Sequence, residues 1–383
     1  MAKLVVRTKV VFKDPSLGDT WGMYSRTQLL EIISGKRTGL APAMIRLGLG
    51  CLTPVYRLAI FFRNRKYRRA IQQHDETIVK QAEIPVISVG NLTTGGTGKT
   101  PLVIWIANHL RQHQLRVVLI SRGYGAENNS TKSGRNDEAM ELEHRLPDVP
   151  HLQDPNRYRM AQIAVEELES QVIVLDDAFQ HQAIHRDLNL VLIDATAPFG
   201  FDRLLPRGLL REPISSLKRA DLIILTRANL ISDAEQERIA LKIQQHSGKS
   251  IGAATQTVVS CLWQSDGSSQ PAASVKRQSV FVFCGVGNPE SFQRTVESLG
   301  TTVVDKSYFK DHHTYTRDDL TQIGRLANDS GAQTILCTHK DLVKLGVNQI
   351  GGLPVFAVLI DIEFITGQLE LESRLDQVMA NHG

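Results

Sequence analysis

Short apolar runs alternate with longer amphipathic segments along most of this chain. Runs rich in Val, Ile and Leu lie at 86–89 and within 116–125, 171–181, 188–196 and 220–229. A strand that helices cover on both faces is apolar along its whole length, whereas a surface helix carries apolar residues at every third or fourth position. The alternation therefore predicts a doubly wound, mostly parallel α/β sheet.

A stretch rich in Ser, Ala and Pro, "SDGSSQPAAS" at residues 265–274, interrupts this pattern and is typical of a linker. We expect a first domain at 83–264 and a second, smaller α/β domain at 275–383 that closes a cleft against the first. Upstream lie a basic amphipathic segment at 40–82 and an N-terminal extension at 1–39, whose pattern indicates no role.

With 383 residues the chain is long enough for two cores, and its composition is that of a soluble globular protein. The four cysteines are far apart and form no CxxC pair, which argues against zinc and against a disulfide framework. The first ten residues are too charged and too short in apolar length for a signal peptide. We therefore expect a cytoplasmic protein with free thiols.

The small net charge of +4 is unevenly distributed. Between residues 40 and 71 there are seven basic residues and no acidic ones: Arg46, Arg57, Arg63, Arg65, Lys66, Arg68 and Arg69. Thr53 is predicted to cap a helix with Pro54 at its first position. Arg46 and Arg57 interrupt the apolar run before the roughly 20 residues that a membrane span requires.

Composition leaves the role of this segment open. It could lie on an anionic membrane surface, with apolar side chains in the headgroup boundary and arginines on the lipid. It could equally pack on its own domain and keep a solvated basic end. A nucleic-acid patch is a weaker hypothesis because the basic run has little aromatic interleaving, and no nucleic-acid partner is expected.

Residues 84–110, "IPVISVGNLTTGGTGKTPLVIWIANHL", carry the strongest chemical signal. A buried strand, a glycine-rich loop and a helix that opens with Lys99 and Thr100 form the pattern of a phosphate-binding P-loop. The lysine of such a loop reaches the β- and γ-phosphates, and the hydroxyl is placed for Mg²⁺. The residues expected to bind ATP are Thr94, Gly95, Gly96, Thr97, Gly98, Lys99 and Thr100.

The loop deviates from the strict P-loop pattern, because Thr93 stands where the first glycine belongs. Its double glycine resembles the deviant loop of partitioning and targeting ATPases, but Thr94 replaces their signature lysine. Further along, "QVIVLDDAFQH" is an apolar strand that ends in Asp176 and Asp177. Carboxylates at the carboxyl end of such a strand are typical of a Walker B site beside the P-loop, which predicts that both bind Mg²⁺.

Three further polar clusters could serve phosphoryl transfer to a hydroxyl, which needs a base, cations on the transferring oxygens and metal ligands. Each would more often be an ordinary surface loop. They comprise Asp137 and Glu138 after the second strand; Arg203, Arg207, Arg211 and Glu212 in "FGFDRLLPRGLLREP"; and Asp311, His312 and His313 in "YFKDHHTYT".

The order of these blocks resembles the tetraacyldisaccharide 4′-kinase family of lipid A biosynthesis. The resemblance runs from about residue 52 to the C-terminus and includes "VLDDAFQHQAIHRDLNLVLIDA" and "RLLPRGLLREPISSLKRADLIILT", strings that P-loop proteins at large do not share. It implies a P-loop NTPase-type fold with two α/β domains. It also implies transfer of the ATP γ-phosphate to the 4′-hydroxyl of an acylated glucosamine disaccharide 1-phosphate, peripheral on the inner face of the cytoplasmic membrane.

The resemblance also assigns roles. It implies that Lys99 and Arg211 act on the phosphates, that Asp137 activates the acceptor hydroxyl and that His312 supports it from the second domain. It places Glu212 on the metal with Thr100, Asp176 and Asp177, and it places Tyr124, Gln180 and His181 in the cleft. One departure is Ala139, where the family usually has proline.

Three hypotheses remain from the sequence. The lipid kinase is favoured, with ATP and Mg²⁺ as cofactors, a glycolipid substrate, an anionic membrane surface and no obligate protein partner. A P-loop ATPase or GTPase that switches a protein partner is the second. A basic membrane-binding protein with a vestigial nucleotide site is the third, and the intact Lys99, Thr100 and Asp177 argue against it.

Overall fold

The computed structural model describes residues 26–123, 137–287, 289–310 and 313–382, with the side chains of residues 26, 27, 137 and 138 outside the description. The helices are α1 (Arg26–Ser34), α2 (Leu40–Gln72), α3 (Lys99–Gln112), α4 (Asp137–Arg145), α5 (Arg157–Glu166), α6 (Asp233–Ser247), α7 (Pro289–Glu297), α8 (Arg317–Asp329), α9 (His339–Leu345) and α10 (Gln368–Ala380). The strands are β1 (Val86–Asn91), β2 (Val117–Ser121), β3 (His151–Gln153), β4 (Val172–Asp176), β5 (Leu188–Asp194), β6 (Leu222–Thr226), β7 (Ala253–Trp263), β8 (Ser269–Pro271), β9 (Ser279–Cys284), β10 (Thr302–Tyr308), β11 (Thr334–Thr338), β12 (Gln349–Ile350) and β13 (Leu353–Thr366).

The strands form one sheet in the order β10-β9-β11-β13-β7-β6-β5-β1-β4-β2-β3, with β8 paired to β7 and β12 to β13. Each half of this path is parallel, and the two halves join where β7 and β13 pair antiparallel. These two long strands form a ribbon that meets β6 at one end and β11 at the other. The mostly parallel α/β sheet predicted from the apolar runs is thereby confirmed.

Helices cover both faces of the P-loop half. In β4, Val172 and Val174 face a core that includes α3, while Ile173 and Leu175 face the opposite core with α5. Because successive residues of a strand point to opposite faces, burial on both sides explains why these strands are apolar throughout.

The division into two domains stays a prediction, and the structure adds two features to it. The stretch 265–274 contains a turn, β8 and the start of a short 3₁₀-helix. The C-terminal helix α10 returns to the first half, where Leu371 and Leu375 pack in the same core as α3.

One boundary is corrected. Thr53 does not cap a helix, because α2 runs without interruption from Leu40 to Gln72 and holds Pro54 in its interior. The Thr53 hydroxyl instead donates to the carbonyl of Leu49 at 3.1 Å, one turn back. Gly48 and Gly50 are poor helix formers, but most residues from 40 to 52 are Leu, Ala, Met or Arg, which favour a helix, so the helix continues upstream of the pair that resembled a start signal.

The second half contains a histidine that makes folding sensitive to acid. Burial, followed by the charges of His144, Arg145 and Lys340, lowers the pKa of His339 to about 3. Its ring packs against Trp263, with centroids 4.9 Å apart. A histidine of ordinary pKa in the unfolded chain takes up a proton as pH falls below about 6.5, whereas the folded chain does so only near pH 3.

We therefore expect the stability that His339 contributes to be complete above about pH 6.5 and to be lost as pH falls towards 3. At pH 5 the loss is about 2 kcal/mol relative to pH 7. The His339→Phe variant should show a correspondingly smaller fall of the urea midpoint between pH 7 and 5 than the wild type. His246→Phe, at an exposed site on α6, is the control. Equal pH dependence in all three proteins would contradict the assignment.

Candidate active site

The glycine-rich loop connects β1 to α3 as the sequence predicts. Gly98 precedes α3 in the left-handed conformation at φ 81°, and Gly95 has φ 116°. Both are values that a side chain disfavours, so the turn depends on glycine at these positions. A helix N-terminus preceded by such a turn presents unpaired N–H groups and a positive dipole, which suits phosphate.

Hydrogen bonds from β1, from β6 and from the segment around Leu209 hold the glycine-rich loop in place. The Asn91 amide donates to the Thr97 hydroxyl at 2.9 Å, and the Thr226 hydroxyl at the end of β6 donates to the Thr97 carbonyl at 2.9 Å. The Thr94 N–H donates to the carbonyl of Leu209 at 2.8 Å. Polar groups at the carboxyl ends of β1 and β6 therefore fix the loop before any nucleotide binds.

Asp177 is the meeting point of the predicted nucleotide and cation residues. It follows β4 directly, and its carboxylate lies 3.5 Å from the Lys99 ammonium and 2.9 Å from the Arg211 guanidinium. The same guanidinium donates to the Gln180 side chain at 3.3 Å. The segment that follows Asp177 passes close to β1. Gly90 permits this, because a Cβ there would lie 2.5 Å from the backbone nitrogen of Phe179.

The electrostatics keep Asp177 ionised. Burial by itself would raise the pKa of its carboxyl, but the charges and hydrogen bonds of Lys99 and Arg211 outweigh burial and lower it below its ordinary value. An ionised carboxylate beside a P-loop lysine is the form in which it can bind a cation. Asp176 is buried one residue earlier, in register with Val89 of β1.

Glu212 lies at the centre of a second cluster, which joins α2 to the site. Its side chain is fully buried and pairs with Arg63 of α2 and with Arg219 at 2.7 Å. Asn64 of α2 also donates to Glu212 at 3.2 Å. One residue away, Tyr56 of α2 donates to the carbonyl of Arg211 at 2.9 Å. The long helix is thus attached to the loop that carries Arg211.

A family model for tetraacyldisaccharide-1-P 4′-kinase matches residues 45–380. The chain belongs to this family. Membership confirms the prediction of a kinase that transfers phosphate to an alcohol. The kinase is thereby favoured over the hypothesis of a P-loop switch that acts on a protein partner.

Curated relatives agree with the family assignment. The tetraacyldisaccharide 4′-kinase of Halothermothrix orenii is 35% identical and aligns over 84% of this chain and 88% of its own length. The tetraacyldisaccharide 4′-kinase of Geobacter sulfurreducens is 32% identical and aligns over 91% of this chain and 98% of its own length. The crystal structure of LpxK from Aquifex aeolicus in complex with ATP matches with a TM-score of 0.66 and 28% identity, covering 88% of this chain and 99% of that one. The last match confirms the P-loop kinase-type fold.

The structure brings together several predicted site residues of the 4′-kinase family. Lys99, Asp177 and Arg211 form one ion-paired cluster, with Thr100 in the first turn of α3. Glu212 lies in the neighbouring cluster with two arginines, and its place on the metal stays a prediction. Tyr124, Asp311 and His312 lie outside the described residues, as do the side chains of Asp137 and Glu138, although α4 begins at Asp137.

Other predicted residues have different environments. Arg207 donates to the carbonyl of Ile33 at 2.9 Å and so contacts α1. His313 pairs with Asp319 at 3.0 Å, at the start of α8. Burial, then the charges of three arginines, lowers the pKa of His181 to about 4, so this side chain is neutral at physiological pH.

The sequence did not indicate that Tyr56 and Asn64 attach α2 to the loop that carries Arg211 and Glu212, nor that Arg63 pairs with Glu212. Sequence reasoning also missed Arg227, which pairs with Asp194 at the end of β5 and donates to the carbonyl of Gly96 at 3.2 Å. For the pair of Arg227 and Asp194 the sequence does offer a signal. Asp194 lies at the carboxyl end of a buried strand, and such ends meet at the ligand edge of the sheet.

Proposed function

We propose that this chain transfers the γ-phosphate of ATP to the 4′-hydroxyl of a tetraacyldisaccharide 1-phosphate at the inner face of the cytoplasmic membrane. The proposal rests on one observation above all: the P-loop lysine, Asp177 and Arg211 form a single cluster in a chain of the 4′-kinase family. The names of the curated relatives supply the acceptor, and the Aquifex complex supplies ATP.

The cations of the cluster suit phosphoryl transfer. Lys99 would contact the β- and γ-phosphates, and Arg211 would neutralise charge that develops on the transferring oxygens. Asp177 holds both cations at the carboxyl end of β4. Cations that the fold already holds near the phosphate site reduce the reorganisation needed as charge develops in the transition state.

The oxygen donors near the P-loop fit Mg²⁺. Asp176, Asp177 and Thr100 offer two carboxylates and a hydroxyl, and hard oxygen ligands of this kind suit Mg²⁺ rather than softer ions. These residues would hold the ion, which would screen the phosphate charge. Because Lys99 and Arg211 lower the pKa of the Asp177 carboxyl, this donor is ionised near neutral pH.

The acceptor hydroxyl needs a base, and we assign that role to Asp137, supported by His312 from the second half. The family resemblance supports the assignment, as does the position of α4. This helix begins at Asp137, and Glu141, about 6 Å further along it, lies 4.0 Å from Lys340 of α9 in the second half. A base at the start of α4 would therefore lie near the junction of the two halves.

We further propose that α2 holds the enzyme on the membrane. Large apolar side chains are exposed along it at intervals of three to five residues: Leu40, Met44, Leu47, Leu52, Val55, Leu58 and Phe62. Such spacing forms a stripe along the helix, and its other side docks polar residues on the protein. A stripe exposed to water over this length is typical of a membrane or protein interface.

Among the residues that the structure describes, α2 is the one helix long and apolar enough to cross a membrane. The attachment of Tyr56, Arg63 and Asn64 to the active-site loop argues for a surface position instead. The part of α2 before Tyr56 extends about 24 Å at 1.5 Å per residue, less than the roughly 30 Å of a hydrocarbon core.

Vesicle binding tests the membrane proposal. Replacing Arg65, Lys66, Arg68 and Arg69 by Gln should release the protein from anionic vesicles, since each basic residue contributes up to about 1 kcal/mol near the surface. Arg63 is left in place because it pairs with Glu212. Sedimentation with anionic vesicles at low and high salt measures the effect, and binding of the wild type should weaken with salt.

The matched control carries Gln at four exposed basic residues of the second half: Lys276, Arg277, Arg294 and Arg317. It removes the same charge and should bind vesicles like the wild type. Activity on a short-chain acceptor should suffer less than activity on the natural lipid in the α2 variant. No vesicle binding by the wild type, together with a lower melting temperature for Phe61→Ala or Phe62→Ala, would favour a helix that packs within the protein.

The decisive assay for the function is ATP-dependent labelling of a tetraacyldisaccharide 1-phosphate by the purified protein in mixed micelles. We expect labelled product that requires Mg²⁺ and the acceptor. A protein switch would instead hydrolyse nucleotide at a rate that a protein stimulates and that the glycolipid leaves unchanged. That outcome would overturn the lipid kinase.

A further inference from the structure

Two histidines and an aspartate meet at the end of α3 that is remote from the P-loop. His109 and His113 are four residues apart and so share one face of the helix, about 15 Å along it from Lys99. Asp376 comes from α10, and one ligand atom from each of the three residues lies within 4.8 Å of the other two. We propose that these three residues bind a divalent transition-metal ion, such as Zn²⁺ or Ni²⁺, which ties the P-loop helix to the C-terminal helix.

The geometry requires only a small adjustment. Nitrogen and oxygen ligands of a tetrahedral ion lie about 2.0–2.1 Å from the metal, which places them about 3.3 Å from one another. His113 and Asp376 are exposed and can close the difference by rotation about their side-chain bonds. His109 is held more firmly, because its ring stacks on Trp105 with centroids 5.3 Å apart and planes 9° from parallel.

A second observation points to a ligand. The Nε2 atom of His109 is buried and has no hydrogen-bond partner among the described residues. Buried polar atoms are normally paired, and a metal ion would satisfy this one. The His113 ring lies beside it, with centroids 4.8 Å apart.

The chemistry of the site differs from that of the active site. Two imidazoles and one carboxylate favour Zn²⁺, Ni²⁺, Co²⁺ or Cu²⁺ over Mg²⁺, which prefers oxygen ligands. The cluster also lies in the last turn of α3 and near the end of α10. The negative ends of two helix dipoles therefore favour a cation there.

Binding would have a structural consequence. Leu371 and Leu375 already attach α10 to the core that contains α3. An ion held by both helices would add a second attachment between the P-loop helix and the end of the chain. Because the unfolded chain does not hold the three ligands together, the ion would raise the melting temperature.

The experiment uses untagged full-length protein and Ni²⁺ as the probe, without nucleotide. Ni²⁺ bound at the cluster lies close enough to Trp105 to quench its fluorescence. We expect saturable quenching and a rise in melting temperature of at least about 3 °C, reversed by EDTA. Asp376→Asn and His113→Ala should each weaken binding at least tenfold, and because both sites are exposed these variants should fold. His246→Ala, at an exposed histidine on α6, is the matched control and should bind like the wild type.

Trp263 also contacts two histidines, His144 and His339, so Ni²⁺ bound there could quench fluorescence as well. The Trp105→Phe variant distinguishes the two positions. This variant should lose the quenching and keep the rise in melting temperature. Quenching that persists without Trp105 would place the ion elsewhere and overturn the proposal. So would equal Ni²⁺ affinity in the wild type, His113→Ala and Asp376→Asn, or no saturable binding below about 1 mM.

Discussion

Replacing Lys99 with Ala is expected to lower kcat by about a thousandfold or more at saturating ATP. The ammonium group lies 3.5 Å from Asp177, in the cluster that includes Arg211, and opens the helix that follows the glycine-rich loop. In that position it would neutralise charge that develops on the γ-phosphoryl oxygens. Removing it also takes away one of the two cations that keep Asp177 ionised, so the pKa of that carboxyl should rise towards the value that burial favours.

Steady-state kinetics with the glycolipid acceptor measure the effect, with kcat and KM for ATP determined separately. Lys276→Ala, which changes an exposed lysine of the second half, is the control and should leave both constants unchanged. A thermal melt should show that Lys99→Ala folds, since the ion pair of this side chain is with Asp177 of the site cluster. Wild-type kcat in the Lys99→Ala protein would rule out the proposed kinase mechanism.

The sequence predicts the nucleotide site well because the features that build it are local. The strand, the glycines and Lys99 follow one another within fifteen residues, and each has a conformational signature of its own. Asp177 is also predictable, because parallel strands bring their carboxyl ends to one edge. Its partner Arg211 is one of three candidate arginines that the sequence offers in this segment, and only the family resemblance singles it out, since nothing in the local pattern places a loop arginine beside a strand end.

The features that sequence reasoning missed depend on contacts between distant residues. Arg63 and Glu212 are 149 positions apart, and neither has a neighbour in sequence that indicates the other. The same applies to α10, whose apolar face packs in the same core as α3, more than 250 positions earlier in the chain. At Pro54, a local helix-start signal was misleading because the surrounding residues sustain a helix on both sides.

Replacing Glu212 with Gln distinguishes a structural role from a metal-binding one. The variant keeps the shape of the side chain but removes the charge that compensates two arginines. Removing one partner of a buried ion pair costs about 3–5 kcal/mol. We expect the lower end of that range in the free energy of unfolding, because Arg63 is one-third exposed and can reach water. A third arginine adds to the cost, since Glu212 opposes the effects of burial and of Arg219 that lower the pKa of Arg186 to about 10.

A double-mutant cycle with Arg63→Gln gives the decisive measurement. Once Glu212 has lost its charge, removing Arg63 should cost little, so the two changes should be coupled by at least about 1 kcal/mol in urea unfolding. Arg65→Gln, at an exposed position two residues along α2, should be additive with Glu212→Gln. The Mg²⁺ concentration for half-maximal activity should stay at its wild-type value, because the Glu212 carboxylate is fully buried between Arg63 and Arg219, whereas that of Asp177 is partly exposed. If Glu212 binds the metal, that concentration should instead rise and the cycle with Arg63 should be additive. In that case the attachment of α2 to the Arg211 loop would depend on Tyr56 and Asn64 rather than on the ion pair.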